Sequence, residues 1–340
     1  MVKVTLKDLA RELGVSTTLV SRVLNAPRRE DGTLDCDIAA ETAERVLEAA
    51  RRLDYRPSRF AAGLRKGRRY MLGVITPDIS NYAFSEACRH IEERAHNDGY
   101  SVIFGSSAES ATRIERLLDI FIDHGVDGVI VTPCVGCEEA IERIVRRGVP
   151  LVLINRDIPQ IEGVGRVFLD NIRSMEMVVT HLFENGYRRI EMISENMDVL
   201  SLRDRESSYS ATMSRYGLMP RVHVVETATQ REQIADIVRD GVSRGVEVFI
   251  TPRIMLSLYS LQAIMEQGLD MPSDITLFCH DESPAFTTHS PSISYVSQCS
   301  DRVGAEAYKM VQDMIRGGEG CRVLIEPELH FGDSTRAKSL

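Results

Sequence analysis

Four polar side chains near the N-terminus have a spacing that places them on one face of a short helix: Thr17, Thr18, Ser21 and Arg22. The opposite face is apolar and contains Val20, Val23 and Leu24. Hydroxyl groups can hydrogen-bond the edges of nucleic-acid bases, and an arginine can make a bidentate contact with guanine. The apolar face would hold the helix against its neighbours. The pattern therefore indicates a helix that reads bases from its exposed side.

The residues around this helix predict a helix-turn-helix. Thr5 can cap a first helix, Leu6 to Leu13, and Ser16 can cap the second, Thr17 to Leu24. Gly14 lies between them and can adopt the left-handed conformation of a tight turn. A third helix follows, with apolar residues at helical spacing: Ala39, Ala43, Val46, Leu47, Ala50 and Leu53. The alternative interpretation is an ordinary helical hairpin with exposed polar residues.

The charge distribution divides the chain into two parts. Residues 1–69 contain 15 Lys and Arg against 10 Asp and Glu, whereas residues 70–340 contain 26 against 40. The net charge of −9 therefore conceals a basic N-terminal segment and an acidic remainder. This asymmetry indicates that only the N-terminal segment meets a polyanion. A chance asymmetry of solvated surfaces is the other interpretation.

From Met71 onward, strand-like and helix-like segments alternate. The predicted strands are Met71–Thr76, Ser101–Gly105, Gly128–Thr132, Leu151–Asn155, Ile190–Ser194, Val246–Thr251 and Ile275–His280. The amphipathic helical stretches include Phe84–Asp98, Arg113–His124, Glu138–Arg147, Met175–Asn185 and Met255–Gln267. Repeated units of this kind predict parallel sheets covered by helices on both faces. Because there are too many units for one compact sheet, we expect two similar α/β halves.

Length and composition exclude several classes of protein. The 340 residues are 43% hydrophobic and 27% charged, which is typical of a globular chain and not of a disordered, collagen-like or coiled-coil one. No stretch approaches the roughly 18 uncharged residues of a membrane helix, and no apolar signal-peptide core follows Met1. We therefore expect a cytoplasmic protein. Seven scattered cysteines favour reduced thiols over a disulfide framework.

The N-terminal motif and several later segments resemble the lactose-repressor (LacI/GalR) family of bacterial transcription regulators. The N-terminal residues that carry the resemblance are Val4-Thr5-Leu6-Lys7-Asp8-Leu9-Ala10, Gly14-Val15-Ser16 and Val20-Ser21-Arg22-Val23-Leu24-Asn25. Later residues that carry it are Tyr55-Arg56-Pro57, Leu72-Gly73-Val74-Ile75-Thr76-Pro77-Asp78, Gly125-Val126-Asp127-Gly128, Asp170-Asn171 and Asp333-Ser334-Thr335.

The resemblance implies an α/β protein with three parts. These are an all-α helix-turn-helix head at residues 1–57, a hinge helix and linker at 58–69, and a periplasmic-binding-protein-like body at 70–340. The body would consist of two doubly wound parallel-sheet subdomains, the first at about 70–168 and 298–318 and the second at about 169–297 and 319–340. The resemblance also implies a homodimeric repressor that binds a palindromic DNA operator and a small effector.

The residues that we expect to contact DNA are Thr5, Ser16, Thr17, Thr18, Ser21, Arg22, Asn25, Ala61 and Leu64. In the family, the residue that matches Leu64 wedges into the minor groove and kinks the duplex. The hinge around it is too short to be a stable isolated helix, so we expect it to fold when it is paired on DNA. A solvated linker with an incidental leucine is the alternative.

The loop from Arg28 to Asp37 is longer than the turn that the family usually has between its second and third helices. A tolerated insertion is one interpretation, because lengthening a loop costs little free energy. The other interpretation is that Arg28 and Arg29 contact flanking phosphates.

The residues that we expect to bind the effector are Phe84, Asn155, Arg205, Arg253 and Asp281. Phe84 matches an aromatic residue that stacks on the ligand, Arg205 an arginine that grips ligand oxygens, and Asp281 a ligand-binding aspartate. The sequence departs from the family at Thr251-Pro252-Arg253, where a sugar-binding asparagine is missing and a cation stands beside it.

Two arginines, Arg205 and Arg253, would suit an anionic effector such as a sugar acid or a sugar phosphate. Alternatively, Arg253 is a surface or ion-paired residue. His280, which also departs from the family, is either packed or in contact with the ligand.

The rival function is an α/β sugar-metabolising enzyme fused to a DNA-binding head. Such an enzyme would need a phosphate loop or catalytic carboxylates, and neither is evident in the sequence. Cys134-Val135-Gly136-Cys137 has the spacing of a redox or metal motif, but no second cysteine pair or histidine cluster stands near it in sequence. We therefore expect a regulator that is not an enzyme and has no cofactor or metal.

Overall fold

A computed structural model describes residues 4–27, 34–55 and 68–337. The chain divides into two compact units, Met1–Arg69 and Tyr70–Leu340. The hinge residues Ala61 and Leu64 lie outside the described residues, and so do residues 28–33 of the loop after the second helix. What was predicted for these residues therefore stays a prediction.

In the first unit, the head, the described residues contain the three predicted helices. They are α1 (Leu6–Leu13), α2 (Thr17–Leu24) and α3 (Ala40–Arg52). Their apolar faces form one small core, whose buried residues are Leu9, Ala10, Val20, Val23, Ala43, Val46, Ala49 and Ala50. The helical spacing read from the sequence therefore predicted which side of each helix is buried.

Local caps fix the ends of α1. The Thr5 hydroxyl accepts from the Asp8 amide, and the Asp8 carboxylate accepts from the Thr5 amide, so the helix begins with a capping box. Gly14 ends it with a φ of 69°, a left-handed conformation that glycine adopts without a steric penalty. The turn between α1 and α2 is thus set by residue type alone.

The first half of the body contains a six-stranded parallel sheet. Its strands are β1 (Met71–Thr76), β2 (Ser101–Ser106), β3 (Gly128–Val131), β4 (Leu151–Ile154), β5 (Gly165–Leu169) and β11 (Arg322–Ile325). They lie in the order β11-β5-β4-β3-β1-β2. Its helices are α4 (Tyr82–Asn97), α5 (Ala111–His124), α6 (Glu138–Arg146) and α12 (Ser300–Ile315). Leu72 and Val74 pack in a core with α4 and α12, whereas Ile75 packs in a core with α5 and α6. Helices therefore cover both faces.

The second half contains another six-stranded sheet. Its strands are β6 (Ile190–Glu195), β7 (Val222–Val225), β8 (Val248–Thr251), β9 (Thr276–His280), β10 (Ser294–Ser297) and β12 (Glu328–His330). They lie in the order β12-β10-β9-β8-β6-β7 and are parallel except for β12, which runs antiparallel to β10. Its helices are α7 (Asn171–Glu184), α8 (Leu200–Arg215), α9 (Gln230–Arg244), α10 (Ile254–Glu266) and α11 (Pro284–Thr288). Like the first half, it has helices on both faces.

The chain passes between the two sheets after β5, after β10 and between β11 and β12. The last crossing corrects the sequence analysis, which placed residues 319–340 in the second subdomain. Strand β11 pairs with β5 of the first sheet, with Val323 opposite Val167. The pairing gives the β5 edge the hydrogen-bond partners that a buried backbone requires, so β11 belongs to the first half.

Within the described residues, no helix combines the length and the apolar character that crossing a membrane requires.

Candidate functional site

The exposed face of α2 carries the side chains that the sequence analysis assigned to base reading. Thr18, Arg22 and Asn25 are exposed, and Thr17 and Ser21 are half-buried at the edges of this face. The opposite face of α2 packs in the core of the head. The structure therefore brings these five residues together on one accessible surface.

The N-termini of α1 and α2 carry exposed hydroxyl caps. Ser16 Oγ accepts from the amide of Leu19 at 3.2 Å, and Thr5 caps α1 as described above. The amides and the partial positive charge of a helix N-terminus favour a phosphate oxygen. Thr5 and Ser16, which we expect to contact DNA, therefore lie where a phosphate can be bound.

Arg22 forms an ion pair with Asp37, with 3.4 Å between Nη2 and Oδ2. The two side chains are 54% and 99% exposed, and exposed pairs of this kind contribute little free energy. The guanidinium can therefore exchange this carboxylate for another partner at small cost.

The five predicted effector residues line one cavity of about 500 Å³ in the body, part of it open to solvent: Phe84, Asn155, Arg205, Arg253 and Asp281. Asn155 follows β4 of the first sheet, whereas Arg253 and Asp281 follow β8 and β9 of the second sheet. The carboxyl ends of parallel strands are where ligands usually bind in such folds. Sequence reasoning missed Arg156, which also lines the cavity, although its place directly after a predicted strand could have indicated it.

Arg205, on α8, is a buried cation in this cavity. Its side chain is only 7% exposed; Nε donates to Asn171 Oδ1 at 2.8 Å and Nη1 donates to the carbonyl of Pro252 at 2.5 Å. Among the described residues, no carboxylate forms an ion pair with it. Burial without such a partner lowers the pKa of the guanidinium to about 10. The group stays charged, and its Nη2 can donate to an anionic or hydroxyl oxygen of a ligand.

Asp281 supplies a buried acceptor in the same cavity. Its backbone has a φ of 80°, and Oδ2 accepts from the amide of Ile254 at 3.0 Å, while Oδ1 accepts from the Gln298 side chain. Burial alone would raise the pKa of the Asp281 carboxyl. The hydrogen bond with His280 and the positive charge of Arg205 outweigh burial and hold this pKa below its usual range. Asp281 is therefore an ionised acceptor.

His280 is a packed residue, one of the two interpretations left open by the sequence. It is almost completely buried, and its Nε2 lies 3.1 Å from Ser174 Oγ. Burial, with a smaller contribution from the charge of Arg205, lowers the pKa of its imidazole to about 4. A neutral imidazole beside Asp281 therefore belongs to the support of the cavity.

Asn155 and Phe84 complete the predicted set on the first-sheet side of the cavity. Asn155 has a left-handed backbone, with a φ of 62°, and its buried Oδ1 has no hydrogen-bond partner among the described residues. Phe84 lies in the first turn of α4, where the Asn81 side chain caps the helix by accepting from the amide of Ala83 at 3.0 Å. A cavity that contains both an acceptor without a donor and an aromatic ring can bind a polyhydroxylated molecule.

Arg253 both lines the cavity and is ion-paired, so the structure combines the two interpretations from the sequence. It immediately precedes α10; Nη1 donates to the Glu195 carboxylate, and Nη2 lies 3.7 Å from Glu109 Oε1. Burial lowers the pKa of the Arg253 guanidinium. Any anionic group of a ligand must therefore compete with carboxylates of the protein itself.

The motif at Cys134 and Cys137 lies in the core of the first half, where both side chains are buried. All seven cysteines are free in the structure. No cluster of three metal-ligating side chains occurs within the described ranges.

Known proteins have domains similar to both parts of this chain. Residues 5–58 match the profile described as bacterial regulatory proteins, lacI family, and residues 179–335 match the periplasmic binding protein-like domain. The chain is 28% identical over 321 residues to the HTH-type transcriptional regulator PtxS of Pseudomonas putida, covering 94% of this chain and 91% of that protein. It is 27% identical over 344 residues to the HTH-type transcriptional repressor CytR of Escherichia coli K12, covering 98% and 96%. The chain therefore combines a lacI-family DNA-binding domain with a periplasmic-binding-protein-like domain.

Solved structures confirm the fold of this chain. The Lac repressor dimer bound to operator and the anti-inducer ONPF aligns with a TM-score of 0.83 and 22% identity, over 98% of this chain and 99% of that one. A LacI-family transcriptional regulator from Silicibacter pomeroyi aligns with a TM-score of 0.77 and 22% identity, over 98% and 99%. The predicted fold class, a helix-turn-helix head with a periplasmic-binding-protein-like body, is therefore confirmed. With a lacI-family DNA-binding domain and transcriptional regulators as relatives over nearly its whole length, the chain is a DNA-binding transcriptional regulator.

Proposed function

We propose that this transcriptional regulator is a repressor that binds a palindromic operator as a homodimer and responds to a small, carbohydrate-derived effector. Its head would read the operator through α2, and its body would bind the effector in the cavity between the two sheets. We further propose that the protein is a regulator without enzymatic activity.

The exposed face of α2 supports the DNA-binding part of the proposal. Thr17, Thr18 and Arg22 would contact base edges, while Thr5 and Ser16 would contact phosphates from the helix N-termini. Since one head contacts only a few base pairs, two heads related by two-fold symmetry would bind a palindrome. The fold neighbour described above is itself a dimer bound to operator.

The observation that carries the effector proposal is the pairing of Arg205 and Asp281 in one cavity. One is a buried donor without an ion-pair partner among the described residues, and the other is a buried, ionised acceptor. Opposed charged donors and acceptors in one cavity hold a molecule with several hydroxyl groups by strong hydrogen bonds. Phe84 supplies an apolar wall of the cavity.

The state of Asp281 also argues against a role as a general acid. Its carboxylate is ionised and already accepts from the Ile254 amide and the Gln298 side chain. A general acid would need a raised pKa instead. The proposal that the protein is a regulator alone is tested by incubation with nucleotides and sugars, which should yield no product.

A two-stage experiment tests the effector proposal. A thermal-shift screen of sugars, sugar acids and sugar phosphates identifies a ligand, since a ligand present at 100 times its Kd stabilises the folded state by about 2.7 kcal/mol. The identified ligand is then added to the protein bound to operator DNA. Asp281→Ala should abolish the response to that ligand and leave DNA binding without ligand largely intact.

Asp236→Ala is the matched control, because Asp236 is an exposed aspartate that pairs with Arg239 on the surface of the same half. It should respond as the wild type does. An Asp281→Ala protein that responds at the same ligand concentration as the wild type would contradict the assignment of the cavity.

A further inference from the structure

Glu109 contacts two arginines at the effector cavity. Its Oε2 accepts from Arg156 Nη1 and its Oε1 from Arg156 Nη2, both at 2.7 Å, so the pair is bidentate. Its Oε1 also lies 3.7 Å from Arg253 Nη2. Bidentate arginine–carboxylate pairs are among the strongest polar contacts in proteins. We call this arrangement of Glu109, Arg156 and Arg253 the carboxylate bridge.

The carboxylate bridge connects the two halves of the body. Glu109 follows β2 and Arg156 follows β4, both in the first sheet, whereas Arg253 follows β8 of the second sheet. The backbone of Ala108 and Glu109 is left-handed, with φ of 48° and 58°, a conformation that residues other than glycine adopt at a cost. Backbone hydrogen bonds from Ser107 to Thr76 and from Ala108 to Pro77 fix this loop, and the contacts of Glu109 with the arginines add to them.

Charge balance shows what could replace Glu109. The charged side chains that line the cavity or pair with a lining arginine are Arg156, Arg205, Arg253, Glu109, Glu195 and Asp281. They are three cations and three anions, so the set is neutral. Without the Glu109 carboxylate the set would have one excess positive charge, and one anionic group would neutralise it. Arg156 is 6% exposed, and a buried cation without such a group is costly.

We propose that Glu109 is a built-in competitor of the effector: it binds Arg156 and Arg253 until the carboxylate or phosphate group of an anionic effector displaces it. This inference rests on the proposed function of the cavity and specifies the class of effector. A neutral polyol cannot supply the missing charge and would leave the carboxylate bridge in place. Displacement would also remove one contact between the two halves.

The test measures anion binding by the full-length chain without DNA. Inorganic phosphate and acetate are the probes, one for each chemical form of the anionic group, and their Kd values are measured by titration calorimetry. Glu109→Gln removes the competing charge and keeps the shape of the side chain. It should bind at least one of the two probes about tenfold more tightly than the wild type, or better, because a charge-assisted contact with an arginine becomes available. The probe that gains more identifies the preferred group.

Glu115→Gln is the matched control. Glu115 pairs with Arg143 at 2.9 Å in the same half of the body, but on the surface, so the variant has the same change in net charge away from the cavity. Its affinities for phosphate and acetate should equal those of the wild type. Unchanged affinity in Glu109→Gln, or an equal gain in both variants, would overturn the proposal.

A second variant keeps the test decisive if Glu109→Gln does not fold. Glu109→Asp retains the charge but is one methylene shorter, so it cannot hold both arginines as the longer side chain does; it should show a smaller gain in the same direction. No gain in this variant overturns the proposal. The titration needs neither operator nor effector, so failure of the proposed function would appear separately, as loss of operator binding or of the effector response.

Discussion

On binding DNA, Arg22 would exchange a weak ion pair with Asp37 for a contact with a base. Its pair with Asp37 is solvent-exposed and therefore weak, whereas a bidentate contact with guanine is worth about 1–3 kcal/mol of discrimination. Arg22→Ala should cost about that much affinity for the operator and relax the preference at one base pair. Selection from a random DNA library measures both effects, and the same motif from variant and wild type would show that Arg22 does not read a base.

At the level of single residues, the sequence predicted several of the side chains that line the cavity, but not Arg156 and not how the side chains pair. Arg205 and Asp281 were found from short motifs, and both line the cavity. The partners of Arg253 could not be predicted, because both lie far from it in sequence: Glu195 meets it through the pairing of β6 with β8, and Glu109 only when the two sheets are assembled. Contacts between distant strands depend on tertiary packing, which local patterns do not contain.

At the level of elements, helix α2 depends on one hydroxyl at its start. Ser16 caps the Leu19 amide, and replacing such a cap by alanine costs about 1 kcal/mol. Ser16→Ala should therefore lower the protection of α2 amides from hydrogen exchange by roughly fivefold, since a tenfold change in an equilibrium corresponds to about 1.4 kcal/mol. Mass spectrometry of the full chain measures the protection.

Thr18→Ala is the control for this variant, because Thr18 is exposed on the same helix and does not cap it. Its α2 amides should keep their protection. Equal protection in Ser16→Ala and wild type would mean that packing against the rest of the head, not the cap, determines where α2 begins.

All seven strands predicted from the sequence are present, with ends within two residues of the expected positions. Most of them are buried runs of apolar residues, the strongest strand signal in a parallel sheet; β2 is partly exposed. Five strands were missed. Strands β7, β11 and β12 are short and partly exposed at the sheet edges, and β5 and β10 are short buried strands inside the sheets. Short edge strands are defined by the neighbour with which they pair, and this explains why β11 was assigned to the wrong half.

At the level of the whole molecule, a basic head on an acidic body should make operator binding depend steeply on salt. Lys and Arg side chains that contact phosphates release counterions from DNA, and about six such contacts cost roughly 10³-fold in affinity between 50 and 200 mM salt. We expect a loss of this order on a palindromic site, together with a footprint that has two-fold symmetry. A footprint on a single asymmetric half-site would contradict the proposed dimer. An affinity independent of salt would contradict the proposed contacts with phosphates.

The late crossings between the sheets also determine the order in which a newly made chain becomes functional. Helices α1 to α3 are complete once Arg52 has been added, whereas α12 and β11 of the first half and β12 of the second come from residues 300–330. At about 5–20 residues per second, synthesis of the chain from Arg52 to residue 330 takes roughly 15–60 s. During translation, helix α2 is therefore synthesised long before the residues that complete the two sheets around the effector cavity. A product that stops early would contain the helices proposed to bind DNA without a complete effector cavity.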